Sequence, residues 1–277
     1  MEPSGDWHDY RTYMYEALTK AANHFRVVLH GKPTFGWHDR SIGSKVSGKH
    51  EKHWLRVVSE KKWWAQGDWW EGNLVANKLK GIPKPYVIDV YEWEDGEIQL
   101  RAERMTFAEG QVCSPTQELR SRLELSDLWW SELRASLDTL SSWQTERTIT
   151  GQEEVNRRFL VFYGDDVESE VTRWTTAHGD LHWANLMSPQ LTILDWEGWG
   201  RAPAGYDAAT LYCYSLLIPE VAERVYKTFE DILDTPEGAL AQLYVITRLL
   251  RRIDKGDYMD LAGPLHRHAR KLLARLS

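Results

Sequence analysis

Cysteine is nearly absent: Cys113 and Cys213 are the only two in 277 residues. A disulfide framework is therefore not expected, and a reducing compartment is. Long apolar runs are missing too. Nothing approaches the roughly 18 consecutive apolar residues of a membrane-spanning helix. The opening stretch, MEPSGDWHDYRTYMYEAL, lacks the basic and apolar regions of a signal peptide. The expected location is cytoplasmic, with no membrane partner. There is no basic excess either. Lys and Arg number 34 against 41 Asp and Glu, a formal charge of −7. That balance argues against a nucleic-acid partner, whose footprint is a basic patch, and suits plain solubility. No internal repeat or low-complexity tract is visible, and nothing speaks to oligomeric state.

The apolar and charged shares, 42% and 27%, are those of a soluble globular protein. The length suits one large domain or two modest ones. Tryptophan is abundant at 15 residues, most of them expected as core or half-buried packing.

Residues 8–24 read as a helix. Gly31, Gly36, Gly43 and Gly48 then punctuate short β-prone runs, with HWLRVV as a strand. WWAQGDWWEGNLVANKLKGIP reads as a helix that places Trp70, Leu74 and Leu79 on one face and Glu71 inside it, stopped by Gly81 and Pro83. YVIDVYEW and IQLRAERM flank the acidic turn EDGE as a hairpin. Residues 1–106 thus form a small β-rich lobe, 107–116 a linker, and 117–277 a larger, mostly helical lobe. Helices are expected over 117–143, in EEVNRRFLVFYG, and over 205–217, 219–234, 237–253 and 260–276. The expected class is α+β.

Residues 177–200, AHGDLHWANLMSPQLTILDWEGWG, crowd Asp180, Asn185 and Asp195 into sixteen positions. HGDLHWAN, followed by a short hairpin and ILD, is similar to the catalytic loop of the aminoglycoside phosphotransferase family. These are small-molecule kinases of the protein-kinase-like fold, a group that includes choline- and homoserine-type kinases. GWGRAPAGYDAATL, with Gly205 and Asp207, resembles the segment that follows it there. The resemblance covers roughly residues 25–250. It implies a bilobal protein-kinase-like fold, ATP and Mg2+ as cofactors, and transfer of the γ-phosphate to a hydroxyl of a small molecule. That acceptor would be an antibiotic or an aminoglycoside-like, sugar or nucleoside-like compound.

The residue types suit that chemistry. Phosphoryl transfer needs mainly positioning and charge neutralisation. Asp180, on a loop between two elements, can hold the acceptor hydroxyl and take its proton. Mg2+ takes one or two hard protein oxygens and completes its shell with phosphate and water. The amide of Asn185 and the carboxylate of Asp195 supply them. Ser188, Pro189 and Gln190 turn the chain back and LTIL returns as a buried strand, so Asn185 and Asp195 flank one end of a hairpin. His178 is expected to shape the loop through hydrogen bonds. His182 suits either that role or proton transfer, and Asp207 is a structural residue or a helix cap.

The resemblance places the nucleotide under a Gly-bearing hairpin, TFGWHDRSIGSKV, with Gly36 and Gly43 allowing close backbone approach. An ordinary hairpin explains the same glycines. A kinase lysine on the third strand pairs with a glutamate of the next helix. Here the matching position is Arg56, with Glu71 the partner by order, and a surface ion pair is the plain alternative. Arg is not equivalent to Lys, though its planar fork also binds phosphate. Lys49 or Lys52 serves instead if the alignment slips. Backbone groups around Glu103–Met105 would meet the adenine edge.

The acceptor is the least legible part. Cationic aminoglycosides favour carboxylates, and Glu220, Glu223, Glu230, Asp231, Asp234 and Glu237 make 219–238 acidic. The last thirty residues are instead basic, a solvated amphipathic face. His182, Trp183, Trp196, Glu197 and Trp199 lie beside the expected site, as pocket walls or as core. Two other readings compete. One is a pseudokinase-like nucleotide-binding protein without transfer, suggested by Arg56. The other is a Ser/Thr protein kinase, opposed by the short stretch between Asp195 and Gly205.

Overall fold

A computed structural model describes residues 7–48 and 51–276. Lys49, the fallback phosphate ligand, lies outside them. The chain forms two compact units, Met1–Lys78 with Lys84–Glu109, and Leu79–Pro83 with Gly110–Ser277. The class is α+β, with the strands concentrated in the first unit and the helices in the second.

The first unit is helix α1 (Trp7–Phe25) against a five-stranded antiparallel sheet. Its strands are β1 (Val28–Phe35), β2 (Ser41–Ser47), β3 (Lys52–Lys61), then, after the single-turn helix α2 (Gly72–Val75), β4 (Val87–Asp95) and β5 (Ile98–Thr106). The order is β1-β2-β3-β5-β4. Met14, Leu18, Ala21 and Ala22, at helical spacing on α1, pack on Ile42, Val46, Leu55, Val57, Leu100 and Ala102, which alternate along the strands. The long helix expected before Gly81 is reduced to α2 and one following 3-10 turn. Trp70 and Leu79 are buried as expected, but Leu74 is 38% exposed. The stretch before α2 runs as turns through Gly67, whose φ of +78° a helix cannot hold.

In the second unit the expected linker contributes a strand, β6 (Gln111–Val112). It is followed by α3 (Asp127–Ser142), α4 (Gln152–Tyr163), β7 (Trp174–Ala177), β8 (Met187–Ser188) and β9 (Gly200–Pro203). The remaining helices are α5 (Tyr206–Ser215), α6 (Pro219–Thr228), α7 (Glu230–Leu233), α8 (Pro236–Ile253) and α9 (Ala262–Leu276). β6 pairs with β8 and β7 with β9, both antiparallel. α3 starts ten residues later than the expected 117, because the Ser126 hydroxyl caps it by accepting the Trp129 N–H at 3.2 Å. The helix expected over 219–234 breaks at buried Phe229 into α6 and α7. The basic C-terminal stretch is amphipathic as expected, with Leu265, Ala269 and Leu272 buried. Neither cysteine forms a disulfide. Among the described residues no helix is long and apolar enough to cross a membrane.

Candidate active site

The site is built on the loop between β7 and β8. At its start Gly179 has φ +90°, and a Cβ there would stand 2.7 Å from the Gly198 carbonyl oxygen. Only glycine fits that turn. The N–H groups of His178 and Gly179 both donate to the carboxylate of Asp207 on α5, at 2.6 and 3.1 Å. Burial raises the Asp207 pKa, and the two N–H donors and the nearby His178 work against that.

His178 is completely buried, and both of its ring nitrogens are used. Nε2 donates to the Leu194 carbonyl at 2.9 Å, which leaves Nδ1 to accept the Asp180 N–H at 3.3 Å. The hydrogen-bond network therefore assigns the neutral Nε2–H tautomer, and burial lowers the His178 pKa in the same sense. His178 is a strut that ties Asp180 to the residue preceding Asp195.

The Asp180 carboxylate is half exposed, with 47% of its side chain accessible, and its Oδ2 lies 3.3 Å from His182 Nε2. Desolvation pushes its pKa up. The hydrogen bond and charge of His182, with Arg248 and His178, outweigh that and hold it at about 2. Asp180 is thus an anion throughout the neutral range, the state that accepts a hydroxyl proton.

The turn after the loop closes as a hairpin. The Leu194 N–H donates to the Asn185 carbonyl at 2.8 Å and the Met187 N–H to the Thr192 carbonyl at 3.0 Å. Asn185 and Asp195 therefore flank one end of it. The expected LTIL strand shrinks to a single bridge, Leu186 to Ile193, and the Ile193 N–H goes instead to the Pro83 carbonyl at 2.9 Å. Asn185 Nδ2 donates to the Asp180 carbonyl at 3.0 Å and also faces His182 Nε2 at 3.3 Å. Its amide oxygen takes no hydrogen bond from the described residues. Asp195 is exposed and left-handed, with φ of 60°. An amide oxygen and a carboxylate are hard-oxygen ligand types that would suit Mg2+ with phosphates and water in its other positions. Among the described residues no cluster of three or more His, Cys, Asp and Glu gathers as an all-protein metal site.

In the first unit, Gly43, Arg56 and Glu103 are successive partners across β2, β3 and β5. With Met105 they occupy the sheet face opposite α1.

No family model matches this chain, and no curated protein matches it. Solved structures do. A thermostable mutant of aminoglycoside phosphotransferase APH(4)-Ia, in a ternary complex with AMP-PNP and hygromycin B, is 13% identical with a TM-score of 0.62, covering 93% of this chain and 97% of its own. Spectinomycin phosphotransferase APH(9)-Ia, bound to ADP and spectinomycin, is 11% identical over 93% of each chain with a TM-score of 0.54. The GDP complex of aminoglycoside 2'-phosphotransferase-IIIa is 13% identical over 95% of this chain and 99% of its own, with a TM-score of 0.54. The fold is that of the aminoglycoside phosphotransferases.

Within this phosphotransferase fold several expected residues sit differently. Arg56 does not pair with Glu71. Its Nη1 lies 3.7 Å from Glu103 on the neighbouring strand, and Glu71 is exposed at the start of α2. Glu103 is 1% exposed and also accepts from Arg101 Nε and Asn73 Nδ2, each at 2.9 Å. Its side chain is thus a buried counter-ion in mid-sheet. Glu103 and Met105 lie inside β5, between β3 and β4, so their backbones run in a central strand. Gly43 leaves room for the Trp54 indole, which a Cβ would meet at 2.5 Å. Gly36 sits at the β1–β2 tip, its N–H bonded to the Ser41 carbonyl at 2.8 Å.

The expected aromatic walls are core. Trp183, Trp196 and Trp199 are at most 2% exposed. Trp183 Nε1 donates to Ser215 Oγ at 3.0 Å, and Arg147 lies 4.6 Å over the Trp199 ring. Indoles this large bury wherever their N–H finds an acceptor. Glu197 contributes its carbonyl oxygen, which accepts from Arg147 Nη2 at 2.9 Å. His182 is buried, and among the described residues its Nδ1 has no hydrogen-bond partner.

Sequence reasoning missed Arg248 on α8, whose charge reaches Asp180. One signal was available: a single charged residue in the apolar run ALAQLYVITRLL. A cavity of about 440 Å³ bordered by Glu168, Val171, Pro203, Glu237 and Leu240 contains none of the loop residues.

Proposed function

We propose that this chain is an ATP- and Mg2+-dependent phosphotransferase, of the aminoglycoside phosphotransferase family, whose acceptor is a hydroxyl of a small molecule. The observation that carries the reading is the half-exposed Asp180 carboxylate, fixed by the His178 strut beside the Asn185–Asp195 hairpin end. The acceptor hydroxyl binds at the Asp180 carboxylate. Its oxygen forms a bond to the γ-phosphorus as the bond to the β–γ bridging oxygen breaks. The hydroxyl proton passes to Asp180, and ADP leaves. Asn185 and Asp195 would hold Mg2+, whose bound charge neutralises the phosphates. A cytoplasmic location, where ATP is plentiful, fits two cysteines without a disulfide.

Purified protein with ATP and Mg2+ is expected to consume nucleotide in the presence of one class of alcohol. Asp180→Ala is expected to lower that rate about 10²–10⁴-fold while leaving nucleotide binding intact. Turnover at the wild-type rate by this variant rejects the assignment. A second reading, nucleotide binding without transfer, is favoured by the arginine at position 56. Tight nucleotide binding with no consumption across a broad alcohol panel would select it.

A further inference from the structure

The loop between α4 and β7, the end of β9 and the first turn of α8 border the cavity of about 440 Å³. Its walls are mostly apolar. Val171, Ala204 and Leu240 are buried residues that line it, together with Pro203 and with Leu273 of α9. Its volume is that of a small-molecule site, where an apolar wall carries a few polar groups that fix the ligand.

Here the polar groups are nearly all of one sign. Asp166, Glu168, Glu170 and Glu237 border the cavity with one cation, Arg173. Among the described residues none of the five forms an ion pair. Glu168 turns back on its own loop, accepting the Ser169 and Glu170 N–H groups at 3.0 and 2.9 Å. Glu237 lies in the first turn of α8, where a carboxylate offsets the partial positive charge of the helix N-terminus. The side chains of Asp166 and Glu170 accept no hydrogen bond from the described residues. Carboxylates gathered over an apolar wall focus a negative potential into the space between them.

The cavity is separate from the Asp180 loop. Ala177 pairs with Gly200 at the loop end of the β7–β9 ladder, and Trp174 pairs with Pro203 at the cavity end. The strand from Trp174 to Ala177 spans roughly 10 Å.

We propose that this cavity binds an organic cation, a protonated amine on an apolar body, as a second site apart from the Asp180 loop. The body displaces water from the wall of Val171 and Leu240, and the ammonium sits at the rim of Asp166 and Glu170. A neutral ligand forgoes that field, and an anion opposes it. Such a site is independent of the phosphotransferase reading.

The test titrates the full chain with four probes: phenethylamine, phenethyl alcohol, phenylacetate and ethylamine. Phenethylamine has no hydroxyl, so its binding is separable from any acceptor role. Calorimetry gives the affinity, and the methyl NMR signals of Val171 and Leu240 report where the probe sits. Phenethylamine is expected to bind best, to move both signals and to bind more weakly as salt is added. Asp166→Asn and Glu170→Gln are each expected to weaken it about 2- to 5-fold, and the double variant about tenfold, from the worth of exposed ion pairs. Both variants should leave the affinity for phenethyl alcohol unchanged.

The cation site is overturned if phenethylamine does not bind, or if phenethyl alcohol or phenylacetate binds as tightly. Equal binding of ethylamine overturns it too, since that probe has the charge without the apolar body. So does phenethylamine binding that leaves the Val171 and Leu240 signals unmoved, or that is unchanged in the double variant. The four titrations and the NMR signals need only the wild-type chain, so they decide the matter even where a variant fails to fold.

Discussion

One carboxylate oxygen of Asp207 takes the backbone N–H of His178 at 2.6 Å, and the other takes that of Gly179 at 3.1 Å. The first turn of α5 thus holds the entry to the Asp180 loop. Asp207→Ala leaves two buried N–H groups without an acceptor and is expected to cost about 1–3 kcal/mol or more. Asp207→Asn, which keeps one acceptor, should cost less. Urea unfolding measures both, and a loss near zero for the alanine variant would rule out the clamp.

The proposed metal ligands are separable from the base. Asn185→Ala removes the amide oxygen while Asp180 keeps its carboxylate. The Mg2+ concentration for half-maximal transfer is expected to rise about tenfold or more, since even indirect supports of metal ligands cost that much. Asp195→Asn should weaken the ion further by removing its charge. Mn2+ binding in the presence of nucleotide, followed by EPR, checks both. An unchanged affinity in either variant would remove that residue from the ligand set.

The ion pair in the first unit gives a sharp contrast between two glutamates. Glu103→Gln uncouples Arg56 and Arg101 inside a buried cluster, and is expected to destabilise the protein by about 3–5 kcal/mol. Glu71→Gln, at an exposed position, should stay within about 0.5 kcal/mol and leave nucleotide affinity unchanged. If Glu71→Gln weakens nucleotide binding and Glu103→Gln does nothing, the assigned partner of Arg56 is wrong.

His268 gives a pH-dependent docking of α9 on α8. Gln242 Nε2 donates to the Leu233 and Gly238 carbonyls, so its oxygen faces His268 Nε2, 2.8 Å away, and that nitrogen must carry the proton. Burial, then the charges of Lys271 and Arg275, lowers the His268 pKa from 6.5 to about 4. The unfolded chain therefore binds the extra proton first. Stability is full above pH 6.5 and declines as pH falls toward about 4, below which no more is lost. By pH 5 the loss is on the order of 1–2 kcal/mol. Thermal unfolding of wild type and His268→Gln at pH 7.5 and 5 checks this, and equal pH slopes would exclude His268 as the source.

The local part of the candidate site was legible because its residues lie in one continuous stretch. Asp180, Asn185 and Asp195 are separated by a tight loop and a hairpin, so spacing alone limits where they can go. The strands of the first unit and α1 were legible through alternation and helical periodicity. The helix around Glu71 was misread because its apolar residues repeat at helical spacing although Gly67 breaks the backbone. The tryptophans beside Asp195 were ambiguous, since an indole suits a pocket wall and a core equally until its burial is known.

Residue type and spacing were enough to set the α+β class, the tight loop bearing Asp180 and the hairpin end bearing Asn185 and Asp195, because each depends on chain neighbours. The tertiary structure alone decided that Glu103 rather than Glu71 meets Arg56 and that Asp207 clamps the loop at His178. Those pairs are 47 and 29 positions apart. No local pattern encodes such separations; strand register and helix packing bring the charges together, and burial then sets how strongly they act.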